Sequence, residues 1–161
     1  MKQVGFVGAF DKTDLIIYIA KILTVLGKRV LIADTTITQK AKYVVPALNP
    51  TLSYITEFEE IDIAVGFKNV EAIANYTNRS IETLEYDYLL LDIDSAESAM
   101  NFRIDRSVQN FFVTSFDTYD IRRGIEILNQ FQNPIKMTKV LFSKEVTKED
   151  DEYLNYLSLG A

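Results

Sequence analysis

Short continuous apolar runs alternate along this chain with segments of helical period. Gln3 to Gly8 reads as a short buried strand. Thr13 to Leu26 carries Leu15, Ile19, Ile22, Leu23 and Leu26 at the spacing of one helix face, and Gly27 is a suitable stop. Arg29 to Ala33 is a second apolar strand. Residues 37–52 hold Pro46 and Pro50 and read as irregular. Ile61, Ile63, Val65 and Phe67 alternate with Asp62, Ala64 and Gly66, the pattern of a strand with one packed face. Asn69 to Asn78 reads as a helix with Val70, Ile73 and Ala74 on one side.

The second half repeats the alternation. Tyr88 to Leu91 is an apolar run closed by Asp92, followed by a short helix over Glu97 to Ile104 and a strand over Val108 to Ser115. Thr118 to Phe131 is expected to be helical, with Ile121, Ile125 and Leu128 as its apolar stripe. Lys136 to Phe142 reads as a strand, and Lys148 to Leu157 as a last helix capped by Thr147. Apolar strands alternating with helices imply a parallel sheet covered on both faces. The expected fold is α/β: doubly wound, mostly parallel, with helices on both faces, as one domain over residues 1–161.

Composition narrows the function. With 161 residues, 48% of them apolar, the chain can bury a sizeable core. A net charge of −6 argues against a nucleic-acid partner, which needs a basic face. Arg103, Arg106, Arg122 and Arg123 are too few to reverse that reading. The chain lacks cysteine and histidine, which excludes thiolate chemistry and makes a transition-metal site a poor expectation. No apolar run approaches the roughly 20 residues needed to cross a bilayer. The cytoplasm is the expected location, without membrane insertion.

Candidate chemistry sits where strands meet loops. The first strand runs into Gly8-Ala9-Phe10-Asp11-Lys12-Thr13-Asp14, and the second ends at Asp34-Thr35-Thr36. The fourth predicted strand ends at Asp92, before Ile93-Asp94-Ser95-Ala96. Carboxylates ending parallel strands gather at the crevice where open α/β sheets bind ligands, so Asp34, Asp92 and Asp94 should converge near Lys12. Local chemistry also allows a plain reading, in which Asp11 or Thr13 caps the helix and Lys12 is a solvated side chain. Pairing of Lys12 with a neighbouring carboxylate, Asp11 or Asp14, is a further expectation.

The order of these features resembles the MinD/ParA family of deviant P-loop ATPases, from about residue 3 to residue 142. The family loop is similar to Lys-Gly-Gly-x-Gly-Lys-Thr-Thr. Gly8, Lys12 and Thr13 match it; Val7 replaces the signature Lys, Ala9 and Asp11 replace glycines, and Asp14 replaces the last Thr. The resemblance implies Lys12 as the phosphate lysine, Thr13 and Asp92 as magnesium ligands, and Asp34 as an acid that arranges water or magnesium. The strand ending at Asp92 looks like a Walker B strand, although Pro is usual near the position of Asp94.

The substitutions oppose nucleotide binding. Glycines permit positive φ and close backbone approach to phosphate. A carboxylate at Asp11 would repel a phosphate by about 4 kcal/mol at ~4 Å and an effective dielectric near 20. The lost signature Lys puts an ATP-sandwiched dimer in doubt. ATP and Mg²⁺ are therefore possible but unexpected cofactors. Relatives usually run longer, so a trimmed or minimal version is expected.

The preferred reading is a degenerate pseudo-ATPase acting as a scaffold or localisation factor, resembling TadZ-like proteins of pilus-assembly and secretion systems. Its partners would be proteins, a larger assembly machine or a second copy of itself. The alternatives are an active ATPase with an unusual loop, using Lys12, Thr13, Asp34 and Asp92, and an anion- or phospho-ligand-binding module. Tyr43, Tyr54, Phe58, Phe67 and Tyr76 read mainly as core with some interface character. Glu57, Glu59, Glu60 and Asp62 read as a solvated acidic face.

Overall fold

The computed structural model describes residues 1–36 and 53–142. The predicted irregular stretch 37–52, with Tyr43, and the predicted last helix from Lys148 to Leu157 lie outside the described residues.

Within those bounds the chain forms strands β1 (Lys2–Val7), β2 (Val30–Asp34), β3 (Tyr54–Phe58), β4 (Ile61–Val65), β5 (Tyr88–Ile93), β6 (Gln109–Ser115) and β7 (Thr138–Phe142). The helices are α1 (Thr13–Val25), α2 (Val70–Tyr76), α3 (Ala96–Asn101) and α4 (Thr118–Asn129). Short 3₁₀ turns occupy Ile81–Thr83 and Ile104–Arg106. The strands form one sheet in the order β3-β4-β2-β5-β1-β6-β7. Every pairing is parallel except β3 with β4. The doubly wound α/β expectation is met.

The centre of the sheet is apolar because it is covered twice. β2 is buried at every position, and β5 from Leu89 to Ile93. Alternate residues feed two cores. Leu31, Leu89, Leu91 and Ile93 pack with Ile73 of α2, Ala99 of α3 and Ile127 of α4. Ile32, Leu90 and Phe6 pack with Ile16 and Ala20 of α1.

Helix α1 ends as its sequence predicts. Gly27 adopts a left-handed φ of 82°. Its N–H donates to Thr24 O and that of Lys28 to Leu23 O, closing the last carbonyls in a Schellman arrangement. The packed face differs from the expected one. Ile16 and Ala20 are fully buried, while Ile22 and Leu26 face out. In α4, Gly124 and Ile127 are buried and Ile125 is exposed. Helix α1 is apolar around more than one face, so period alone left its rotation open.

Strand β3 was absent from the sequence reading. It joins β4 through Glu59 and Glu60, both at positive φ (48° and 70°). That backbone suits a two-residue hairpin, but such turns usually announce themselves with Gly or Asn. Glu57, Glu59 and Glu60 are exposed as expected. Asp62 is half-buried and accepts a 2.5 Å hydrogen bond from the Tyr86 hydroxyl. The predicted helix from Glu97 to Ile104 is split, because Arg103 takes a left-handed φ of 54° between α3 and the following turn.

Candidate functional site

Register brings the candidate acids together. Along the parallel ladder Asp34 of β2 lies directly beside Asp92 of β5, and Phe6 of β1 lies beside Asp92 on the other side. The three central strands therefore end level, and the loop from β1 to α1 crosses above the carboxyl end of β5. Gly8 keeps this loop tied to the sheet, donating its N–H to Ile93 O at 3.0 Å.

Lys12 turns inward rather than outward. Its Nζ sits 2.9 Å from Asp92 Oδ1 and donates to Gly8 O at 2.9 Å. Both residues are only 2% exposed. The expectations of a solvated Lys12, or of Asp11 or Asp14 as its partner, are corrected: parallel register delivers a distant carboxylate closer than the local ones. Thr13 Oγ1 also points at this pair, donating to Asp92 Oδ2 at 3.4 Å. Burial pushes the Asp92 carboxyl above its ordinary pKa. Lys12 pulls it back down and nearby Asp34 pushes it up again, leaving a net rise.

Asp34 faces a different way. It is buried and accepts hydrogen bonds from the Thr36 N–H at 2.9 Å and the Thr36 hydroxyl at 2.5 Å. Thr35 closes the gap between the strand ends, its Oγ1 donating to Asp92 O at 2.7 Å. Asp11 is exposed, and its Oδ1 accepts the Thr13 N–H at 3.3 Å, so it serves the start of α1. Solvent screening at this exposed position reduces its repulsion of an anion below the figure of about 4 kcal/mol.

A cavity of about 310 Å³ opens over these groups. Ala9, Phe10, Asp11, Lys12 and Thr13 form one wall, and Thr36, Asp92 and Asp94 the floor. Of the five residues singled out from sequence, Lys12, Thr13 and Asp92 line it. Gly8 and Asp34 do not line it; Gly8 O accepts from Lys12, and Asp34 lies beside Asp92 in the sheet. Phe10 is held aside by stacking on Phe142, ring centroids 5.3 Å apart. Tyr119 and Arg123 of α4 supply the remaining wall and were not among the residues selected from sequence. The available signal was topological: α4 starts at the carboxyl end of β6, beside β1, where ligand crevices form.

Gly8 has a packing reason to be glycine. Its φ is +149°, and a Cβ there would come within 2.1 Å of Val113 O on β6. The glycine is required by the approach of β1 to β6 whether or not a phosphate ever enters the cavity.

A strand-loop-helix crossing the end of a central parallel strand, with lysine and threonine meeting a strand-end aspartate, is the arrangement of P-loop proteins. Solved structures agree. A chain of the MinC:MinD cell division protein complex from Aquifex aeolicus superposes with TM-score 0.62 at 15% identity, over 95% of this chain and 72% of that one. This chain has the MinD/ParA fold. A ParA family ATPase from Chlorobium tepidum gives TM-score 0.57 at 14% identity, over 95% and 79% of the two chains. A plasmid partition protein from Borrelia burgdorferi, bound to AMPPNP, gives 0.56 at 14% identity, over 98% and 80%. No family model and no curated protein matches the sequence. Identity this low leaves the MinD/ParA fold as the shared property. Among the described residues no helix is long and apolar enough to cross a membrane, and no group of three or more His, Cys, Asp or Glu side chains could hold a metal ion.

Proposed function

We propose that this chain is a degenerate MinD/ParA-type ATPase that acts as a scaffold or localisation factor through protein–protein contacts. The observation that carries the reading is the closed Lys12. Lys12, the lysine that lines the cavity among the described residues, is buried, with Asp92 as its counter-ion and Gly8 O as its acceptor. The threonine that would hold magnesium is turned to the same carboxylate. If ATP and Mg²⁺ were bound, Lys12 would meet phosphate, and Thr13 and Asp92 would meet the metal. Nucleotide entry must first break a buried ion pair, in a loop that has lost two glycines and gained Asp11. The finer placement, in a pilus-assembly or secretion machine, rests on the TadZ-like resemblance.

The cavity itself favours a second reading, an ATP-binding protein with an atypical loop. Lys12, Thr13 and Asp92 line one open space, and the similar Borrelia protein is bound to AMPPNP. Titration calorimetry separates the two. With the folded chain, ATP and ADP are expected to give no binding heat at millimolar concentration, with or without Mg²⁺. Asp11→Gly removes a charge and restores a loop glycine, so it should bind nucleotide more tightly than the parent. Micromolar, Mg²⁺-dependent binding by the unmodified chain would establish the second reading instead.

A further inference from the structure

A second recess lies at the opposite end of the sheet from Lys12. Its volume is about 200 Å³, and it forms where α3, the 3₁₀ turn Ile104–Arg106 and the chain leading to β7 meet. Ala99 and Ile104 are its floor and belong to the buried core. Phe131 and Ile135 wall it, partly buried against that core. Met100 stands at its edge and is 55% exposed. The Gln3 side chain fixes the place of the recess beside the start of β1, donating to Phe102 O at 2.8 Å and Arg103 O at 3.2 Å. The Lys12 cavity opens at the other ends of the same strands.

The rim carries an excess of one charge. Arg103 and Arg106 flank the lining residues Ile104 and Asp105, and Lys136 directly follows Ile135; all three cations are exposed. Asp105 is the carboxylate of the lining, and it is ion-paired with Arg103 at 3.1 Å. Arg106 and Lys136 make no ion pair among the described residues. This apolar recess is therefore bordered by uncompensated positive charge, on a chain whose net charge is −6.

We propose that the recess docks a segment of a partner protein in which an apolar side chain is flanked by carboxylates. The apolar group fills the space over Ala99 and Ile104, and the carboxylates meet Arg106 and Lys136. An apolar centre with a polar rim is the anatomy of protein contacts, and complementary charge selects the partner. A nucleic acid fits less well, because its phosphates call for an extended basic face and have nothing to place in an apolar recess. The inference rests on the reading of this chain as a protein-contact factor, to which it adds a surface and a class of partner. It needs neither nucleotide nor the Lys12 cavity.

Fluorescence anisotropy on the full chain tests this with a labelled peptide, Leu-Phe between two runs of Glu. Binding should be saturable and should weaken as salt rises. The same peptide with Lys in place of Glu should not bind. Met100→Glu should weaken binding roughly tenfold, by setting a carboxylate at the mouth of the recess. Arg106→Glu should weaken it roughly fivefold. Both side chains are exposed, so circular dichroism spectra like the parent's are expected. Lys68→Glu reverses an exposed charge after β4, away from the recess, and should leave binding unchanged. No binding at millimolar peptide overturns the proposal, as does equal binding of the Lys peptide or indifference to both Met100→Glu and Arg106→Glu. Tighter binding of duplex DNA than of the Glu peptide, lost in Arg106→Glu, overturns it in favour of a nucleic-acid contact. The nucleotide titration reports separately. A chain that binds ATP and also this peptide loses the pseudo-ATPase reading and keeps the surface; one that binds neither keeps that reading and loses the surface.

Discussion

Lys12→Ala is expected to cost about 3–5 kcal/mol of folding stability, because it leaves the Asp92 carboxylate buried without its counter-ion. Asp92→Ala should cost a similar amount by stranding the ammonium group of Lys12. The two groups are almost fully buried and 2.9 Å apart, so each charge depends on the other for compensation. The double replacement Lys12→Met with Asp92→Leu removes both desolvated charges. It is expected to lie within about 2 kcal/mol of the parent, since apolar residues of similar volume commonly replace a buried ion pair without loss. Urea denaturation of the parent, Lys12→Met, Asp92→Leu and the double variant gives the cycle. Additive effects of the two single changes would show that the two charges do not depend on one another, contrary to the closed-lysine description. The result also bears on function. A lysine whose main role is to neutralise Asp92 is a structural element of the loop, and losing it should unfold the chain before it abolishes any ligand binding.

Gly8→Ala is the second large effect, expected at about 3 kcal/mol or more. Two costs act together. A φ of +149° is a conformation that residues with a Cβ rarely adopt, and the added carbon would meet the Val113 carbonyl oxygen at 2.1 Å. That oxygen belongs to the β6 backbone, which cannot rotate away as a flexible side chain would. Gly27→Ala makes a useful comparison. Gly27 also has a left-handed φ, of 82°, but nothing lies within 4 Å of its missing Cβ, so only conformational strain applies and the loss should be smaller. Thermal unfolding of both variants checks the order; equal losses would mean that the contact with Val113 carries no weight.

These two residues show how far a loop motif can be read. Gly8 and Lys12 are two of the three positions matching the phosphate-loop pattern, and the structure gives each a use that needs no phosphate. Gly8 allows β1 to approach β6, and Lys12 balances Asp92. Neither use was visible in the sequence. Val113 and Asp92 lie far along the chain, and only the parallel register of β1 with β5 and β6 brings them to the loop.

Where the sequence failed, the failures have local causes. β3 went unseen because its hairpin turn uses Glu59 and Glu60 in place of Gly or Asn. The rotation of α1 was misjudged because Leu15, Ile16, Ile17, Ile19, Ile22, Leu23, Val25 and Leu26 leave no polar face wide enough to identify the buried one. The residues misplaced into the core, Ile22 and Leu26, face outward instead. Tyr119 and Arg123 carried no motif, and entered the cavity only because α4 begins beside β1.

The sequence by itself determined the alternation of strands and helices, the parallel class of the sheet and the stop at Gly27. Those follow from short-range physics: apolar runs that must be buried twice, helical period, and glycine at a left-handed cap. Tertiary structure alone decided which way Lys12 points, which face of α1 is buried, and which residues from α4 close the cavity. Those choices are made by strand order and register, which couple residues dozens of positions apart through backbone hydrogen bonds that no local pattern encodes.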